Sequence, residues 1–198
     1  MLKTKTRGAV KKISLPERFV VDRRVDGGMG DNWESCFHPL DQSGVSIFLY
    51  YRGRPISGED AEAFRSLLER QPHEIFSLSS APFPSAAAVT LFLQLAEALG
   101  NAGNNQLINR EGGIRGPRFF LEQAETFDLR GRRVLCVRGH FHGPDREPHN
   151  YFCGIFFDSA TYDKDCRVEE LILQAETESL FDQYYPLFRQ SIETIEWS

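Results

Sequence analysis

Cysteine is scarce and unpatterned in this sequence: there are four, Cys36, Cys136, Cys153 and Cys166, and no two are spaced C-x-x-C. That excludes a disulfide-dense small scaffold and a zinc ribbon, and it predicts free thiols in a reducing compartment. Long apolar runs are missing as well. The richest stretch, Ala86 to Leu99, is broken by Thr90, Gln94 and Glu97, whereas a helical membrane span needs about 18 apolar residues in a row. No apolar segment of signal-peptide type follows the basic start, because Ile13 and Leu15 stand alone before Pro16. A cytoplasmic protein is therefore expected. Positive charge is not in excess: 23 Lys and Arg face 28 Asp and Glu, a net charge of -5. This excludes a global basic field for nucleic acid. Nor is there a G-x-S-x-G elbow, or a lysine-serine pair after Gly27-Gly28-Met29-Gly30, so serine-hydrolase and phosphate-loop motifs are absent.

Aromatic mass is plentiful, with 16 Phe, 6 Tyr and 2 Trp among 198 residues. A chain of that length and composition buries a sizeable core. Charge is unevenly spread. Residues 1–12 carry Lys3, Lys5, Arg7, Lys11 and Lys12 and no acid, so the net charge divides into +5 on this segment and -10 on the remainder. Residues 1–13 are read as a flexible basic tail, and residues 14–198, which show no linker or repeat, as a single α+β domain.

Patterning predicts a first strand near Phe19 to Arg23, a loop of turn formers over Asp26 to Asn32, and a strand over Ser46 to Tyr51. A helix follows over Ser57 to Arg70, with Ala61, Phe64, Leu67 and Leu68 forming its stripe. Glu74 to Leu78 reads as a short strand and Ser85 to Leu99 as a second helix. The second half changes character. Phe119–Phe127, Arg133–Phe141, Tyr151–Phe157 and Val168–Ala175 read as strands, the first two joined by a hairpin at Asp128 to Arg132. Strands this close together imply an antiparallel meander. Thr177 opens a last helix with Phe181, Tyr185, Phe188 and Ile192 on one face, and Pro186 predicts a kink or a later start. Alternating Ile195 and Trp197 predict a closing strand. The expected fold is α+β: a central antiparallel sheet with helices packed on its faces.

The residues from Phe120 to Trp197 carry a resemblance. The hairpin around Gly131, then Tyr151 to Phe157, Glu169 to Ala175, the aromatic helix Phe181 to Phe188 and the terminal Ile192-x-x-Ile195-x-Trp197 resemble the PsbP-like group, which includes the DcrB-like domains. The resemblance implies an α/β/α sandwich serving as a non-catalytic binding or assembly module. Members of the group act in photosystem assembly, small GTPase binding or secretion-system chaperoning. Exported members carry signal or lipoprotein segments, and none is read here.

Two clusters could carry function. Arg130, Arg132 and Arg133 form a basic turn able to engage a protein or peptide partner; Arg110, Arg115 and Arg118 extend this basic region in sequence. His140 and His142 share a face if they lie on a strand, and with Glu147 they supply donors for a divalent metal. His-x-His, four residues, Glu147, six residues and Gly154 resemble the first cupin motif. The leading glycine is replaced by Val134, however, and a second motif is absent. Cys36 and His38 place a thiol and an imidazole close together, with packing as the simpler role. Glu169 and Glu170 face opposite ways on a strand, so they cannot share one substrate bond. Three functions follow as expectations: a non-catalytic binding or adaptor module, a metal-dependent enzyme using His140, His142 and Glu147, and an immunity or chaperone-type partner of a basic protein. The first, without a cofactor, is preferred.

Overall fold

The computed structural model of the chain describes residues 2–5, 8–21, 34–75, 118–142, 148–160 and 166–198. Their order is β1 (Leu2–Lys5), β2 (Val10–Leu15), β3 (Phe19–Val21), β4 (Glu34–Pro39), β5 (Val45–Ile56), α1 (Glu59–Leu68), β6 (Arg118–Leu129), β7 (Arg132–His142), β8 (Pro148–Asp158), β9 (Cys166–Ala175), α2 (Glu178–Ile192) and β10 (Glu196–Trp197). Seven strands form one sheet in the order β3-β4-β5-β9-β8-β7-β6, and β1-β2-β10 form a second. Every pairing is antiparallel. Strands β6 to β9 run as the expected meander, and β9 then closes onto β5.

The large sheet dominates the molecule. Its central strands are apolar on both sides, which explains their near-continuous hydrophobic runs. On β7, Val134 and Cys136 enter one core cluster while Leu135 and Val137 enter another. On β8, Cys153, Ile155 and Phe157 divide from Phe152 and Phe156 in the same way. The first cluster also holds Phe181, Phe188 and Ile192 of α2, with Ile13 and Leu15 of β2. The second holds Ala61, Phe64 and Leu68 of α1. Among the described residues, no helix is long and apolar enough to cross a membrane.

The basic N-terminal segment departs from expectation. From Val10 onward it is part of the fold, and Ile13 and Leu15 are fully buried. The reason is a bulge. Glu196 pairs with Lys12 and Trp197 with Val10, so Lys11 is the extra residue on β2. The bulge breaks the two-residue alternation: Val10, Ile13 and Leu15 turn inward while Lys11 stays exposed. Leu2–Lys5 pair with β2 in turn, Lys5 opposite Lys12 and Lys3 opposite Ser14.

The later start that Pro186 allowed is not found: α2 runs from Glu178 to Ile192 with Pro186 inside it. The lost backbone bond would have reached the carbonyl of Asp182. Both residues are exposed, so water can satisfy that oxygen. Thr177 caps the helix as expected, its hydroxyl accepting the Leu180 N–H at 3.3 Å. The loop over Asp26 to Asn32, the helix over Ser85 to Leu99, and Phe76 to Leu78 of the short strand lie outside the described residues. Glu74 and Ile75 are exposed and not in a strand.

Candidate functional site

The β6–β7 connection is a two-residue turn. Arg130 (φ 51°) and Gly131 (φ 85°) both occupy the left-handed region, and Leu129 pairs with Arg132. This is the type I′ geometry that matches the twist of the flanking strands. The turn fixes where the three arginines go. Arg132 and Arg133 are consecutive on a strand and leave it on opposite faces. The guanidinium of Arg133 donates to Asp128 at 3.0 Å, its partner across the hairpin. Arg130 donates to the carbonyl of Ile195 at 3.4 Å. Arg132 lies over the rings of Trp197 at 4.6 Å and Phe157 at 5.7 Å, and donates to the Asp158 carbonyl at 3.5 Å. Burial pulls the Arg132 pKa down, opposed by the negative charges of Glu169 and Asp158.

Trp197 anchors this corner. Its indole N–H donates to the Leu129 carbonyl at 2.9 Å, and its ring meets Phe157 edge-on with centroids 4.9 Å apart. The neighbouring Glu196 accepts from Lys12 Nζ. That hydrogen bond holds the Glu196 carboxyl below the usual carboxylate range, helped by the charges of Lys12, Lys11 and Arg130. The two basic features that sequence separates, the N-terminal segment and the arginine turn, therefore converge around Glu196. Lys11 and Arg130 are both exposed there. Their cationic heads can take carboxylates. The sequence signal for this corner was the Ile195-x-Trp197 alternation with Glu196 between; nothing in it pointed to Lys11 and Lys12 as neighbours.

The histidine cluster is built differently. His140 and His142 both lie on β7, and both strands beside β7 are irregular near His140. Glu122 is the extra residue on β6, and β8 carries an extra residue opposite His140, where Asn150 has φ 53°. His140 Nδ1 lies 2.7 Å from Glu122 Oε1, and its ring centroid lies 5.5 Å from that of Tyr151. Tyr151 in turn meets Phe181 of α2 at 6.3 Å. The side chain of His142 and all of Glu147 lie outside the described residues, as do Arg110 and Arg115. Among the described residues, no group of three His, Cys, Asp or Glu side chains is placed to hold a metal ion. Cys36 is buried with the α1 cluster, and His38 Nδ1 lies 3.1 Å from the Pro39 carbonyl. Glu169 and Glu170 are neighbours on β9 and both are buried.

Comparison with known proteins adds a fold. The solution structure of cyanobacterial PsbP (CyanoP) from Synechocystis sp. PCC 6803 superposes with a TM-score of 0.50 at 11% sequence identity, covering 94% of this chain and 86% of that one. The protein thus has a PsbP-like fold. No family model and no curated protein matches the sequence.

Proposed function

We propose that this protein is a non-catalytic adaptor module that binds an acidic protein or peptide through the corner formed by β2, β10 and the β6–β7 turn. The observation that carries the reading is the β2–β10 pairing, which bonds Lys12 to Glu196, sets the exposed Lys11 at the bulge opposite β10, and leaves Arg130 bonded to the carbonyl of Ile195. Lys11 and Lys12 sit on a paired strand and Arg130 in a tight two-residue turn, so their backbones are fixed and little ordering is needed on binding. Glu196 accepts from Lys12, and an incoming carboxylate would compete for that cation. The division of the core between one cluster with α1 and one with α2 supports reading the body as an α/β/α sandwich, a rigid platform for such a corner. Four reduced cysteines suit work in the cytoplasm.

The test uses a fluorescein-labelled peptide of alternating Glu and Phe, with its Lys–Phe counterpart as control, measured by anisotropy at low and moderate salt. The acidic peptide should bind, and binding should weaken as salt rises. The Lys11→Glu, Arg130→Asn double variant should lose roughly tenfold in affinity. Asn suits the positive φ at position 130, so the turn is kept. Equal affinity for both peptides, or an unchanged Kd in the variant, would overturn the reading.

A further inference from the structure

Cys136 on β7 and Cys153 on β8 touch. Their sulfurs are 3.5 Å apart, and both residues are buried beneath α2. They are diagonal neighbours, because Cys153 pairs with Arg138 and Cys136 with Ile155. The sulfurs need to approach by about 1.5 Å to reach the ~2.05 Å of a disulfide bond, and because diagonal neighbours stand about 7–8 Å apart the two strands must draw together as well. The surroundings are cationic. Arg189 of α2 places Nη1 4.0 Å from the Cys136 sulfur. Arg138 lies over the rings of Tyr185 at 4.6 Å and Phe181 at 5.3 Å. Burial pushes the Cys153 thiol well up, with the neighbouring Cys136 adding and Arg189 and Arg138 opposing. The two sulfurs are therefore unlike: one is touched by a cation at the flank of α2, the other is sealed behind it.

We infer that Cys136 and Cys153 are a redox pair, with Cys136 as the sulfur that meets a peroxide and Cys153 as the sulfur that resolves it into a disulfide. The Cys136 thiolate attacks one peroxide oxygen; an S–O bond forms, the O–O bond breaks, and hydroxide leaves to take a proton as water. Cys136 is then a sulfenic acid. The Cys153 sulfur attacks the Cys136 sulfur, the S–S bond forms, the S–O bond breaks, and the departing hydroxide takes the Cys153 proton as a second water. Two thiols are oxidised by two electrons in total, and one peroxide is reduced to two waters. Both sulfurs are buried, so the step requires a local opening that lets the peroxide reach Cys136. The product links β7 to β8 covalently and closes the intervening loop, which constrains the unfolded chain.

The pair is distinguished from the other cysteines by its place. Cys36 and Cys166 belong to the core cluster with α1, not to the one beneath α2. Burial and the neighbouring Asp158 push the Cys166 thiol up to about 12.

The experiment treats the full-length native protein with hydrogen peroxide, blocks residual thiols with iodoacetamide in denaturant, and maps peptides by mass. The expected product is two mass units lighter, carries a Cys136–Cys153 linked peptide, and leaves Cys36 and Cys166 alkylated. Its Tm should rise by roughly 5–10 °C, reversed by dithiothreitol. The Cys153→Ser variant should stop at a sulfenic acid on Cys136, trapped by dimedone. Four alkylated cysteines after oxidation of the folded wild type, or oxidation of Cys36 or Cys166 at the same rate, would overturn the inference. The wild-type result stands alone if the variant fails to fold.

Discussion

The carboxylate of Glu169 accepts the backbone N–H of Ala9 at 3.0 Å, joining β9 of the large sheet to the entry of β2. Burial raises the Glu169 pKa, and the Ala9 hydrogen bond, Ser159, Arg132 and Arg167 only partly oppose it. A carboxyl whose pKa is raised by folding favours the folded state most when protonated. Its contribution is full below the unfolded carboxyl pKa and is lost as pH rises through the folded value. Glu169→Gln keeps an oxygen for Ala9 and removes the buried charge, so it should match or exceed the wild-type Tm at neutral pH and flatten the Tm profile above pH ~4.5. Glu169→Leu orphans the Ala9 N–H and should cost about 1–3 kcal/mol in urea unfolding. A Gln variant as unstable as the Leu variant would refute this account.

Trp197 ties the last strand to the sheet through Leu129, Phe157 and Arg132. Trp197→Ala should cost about 3 kcal/mol by loss of packing and of the hydrogen bond, read as a lower urea midpoint with little change in slope. Trp197→Phe keeps the ring contacts and should recover most of that loss.

Gly131 holds φ 85°, and a Cβ there would meet nothing within 4 Å. The cost of a side chain is therefore conformational and not steric contact. Gly131→Ala should destabilise by about 1 kcal/mol, and Gly131→Val by more, because a branched residue resists the left-handed region. Gly131→Asn should be nearly neutral. Thermal unfolding of the three variants gives the ranking, and equal loss in all three would argue against a backbone origin.

Burial pushes the phenol of Tyr185 up to about 12, with the Cys153 and Cys136 sulfurs adding and Arg189 and Arg138 opposing. Folding thus favours the neutral phenol. That contribution is complete below the unfolded value of ~10 and is lost as pH rises through the folded value. Tyr185→Phe should soften the loss of stability between those limits, and phenolate absorbance should show one fewer late-titrating tyrosine. An unchanged alkaline profile would place the titration elsewhere.

Much of the large sheet was legible, because its strands are long, apolar and punctuated. Val134 to Val137 and Phe152 to Phe157 read as strands from composition alone, and the Arg130-Gly131 turn fixed their neighbour. The N-terminal strand was not legible. Its three core residues, Val10, Ile13 and Leu15, fit no single period, because the bulge at Lys11 inserts a residue between them. Lysines at positions 11 and 12 then gave the segment the composition of a solvated tail. The candidate site was hidden for a related reason. Arg130 was visible as a charged turn, but the placing of Lys11 and Lys12 beside β10, whose approach Arg130 also bonds at Ile195, depends on a pairing between β2 and β10 that no local pattern encodes. Pro186 misled only on the helix start: α2 begins at Glu178, ahead of the proline, and buries Phe181, Phe188 and Ile192 on one face.

The pairing of Lys12 with Glu196 spans nearly the whole chain, and the pairing of β5 with β9 spans more than half of it. Both loops must close before these contacts can repay the entropy they cost. The β6–β9 meander needs only neighbouring turns, so its contacts cost the least loop entropy, whereas the β2–β10 pairing closes the longest loop. Folding of such a topology belongs to the millisecond-to-second range, not the microsecond range of helical bundles. The surface proposed for partner binding thus depends on the longest closure in the described fold, and a chain in which that closure has not formed presents the meander without the corner.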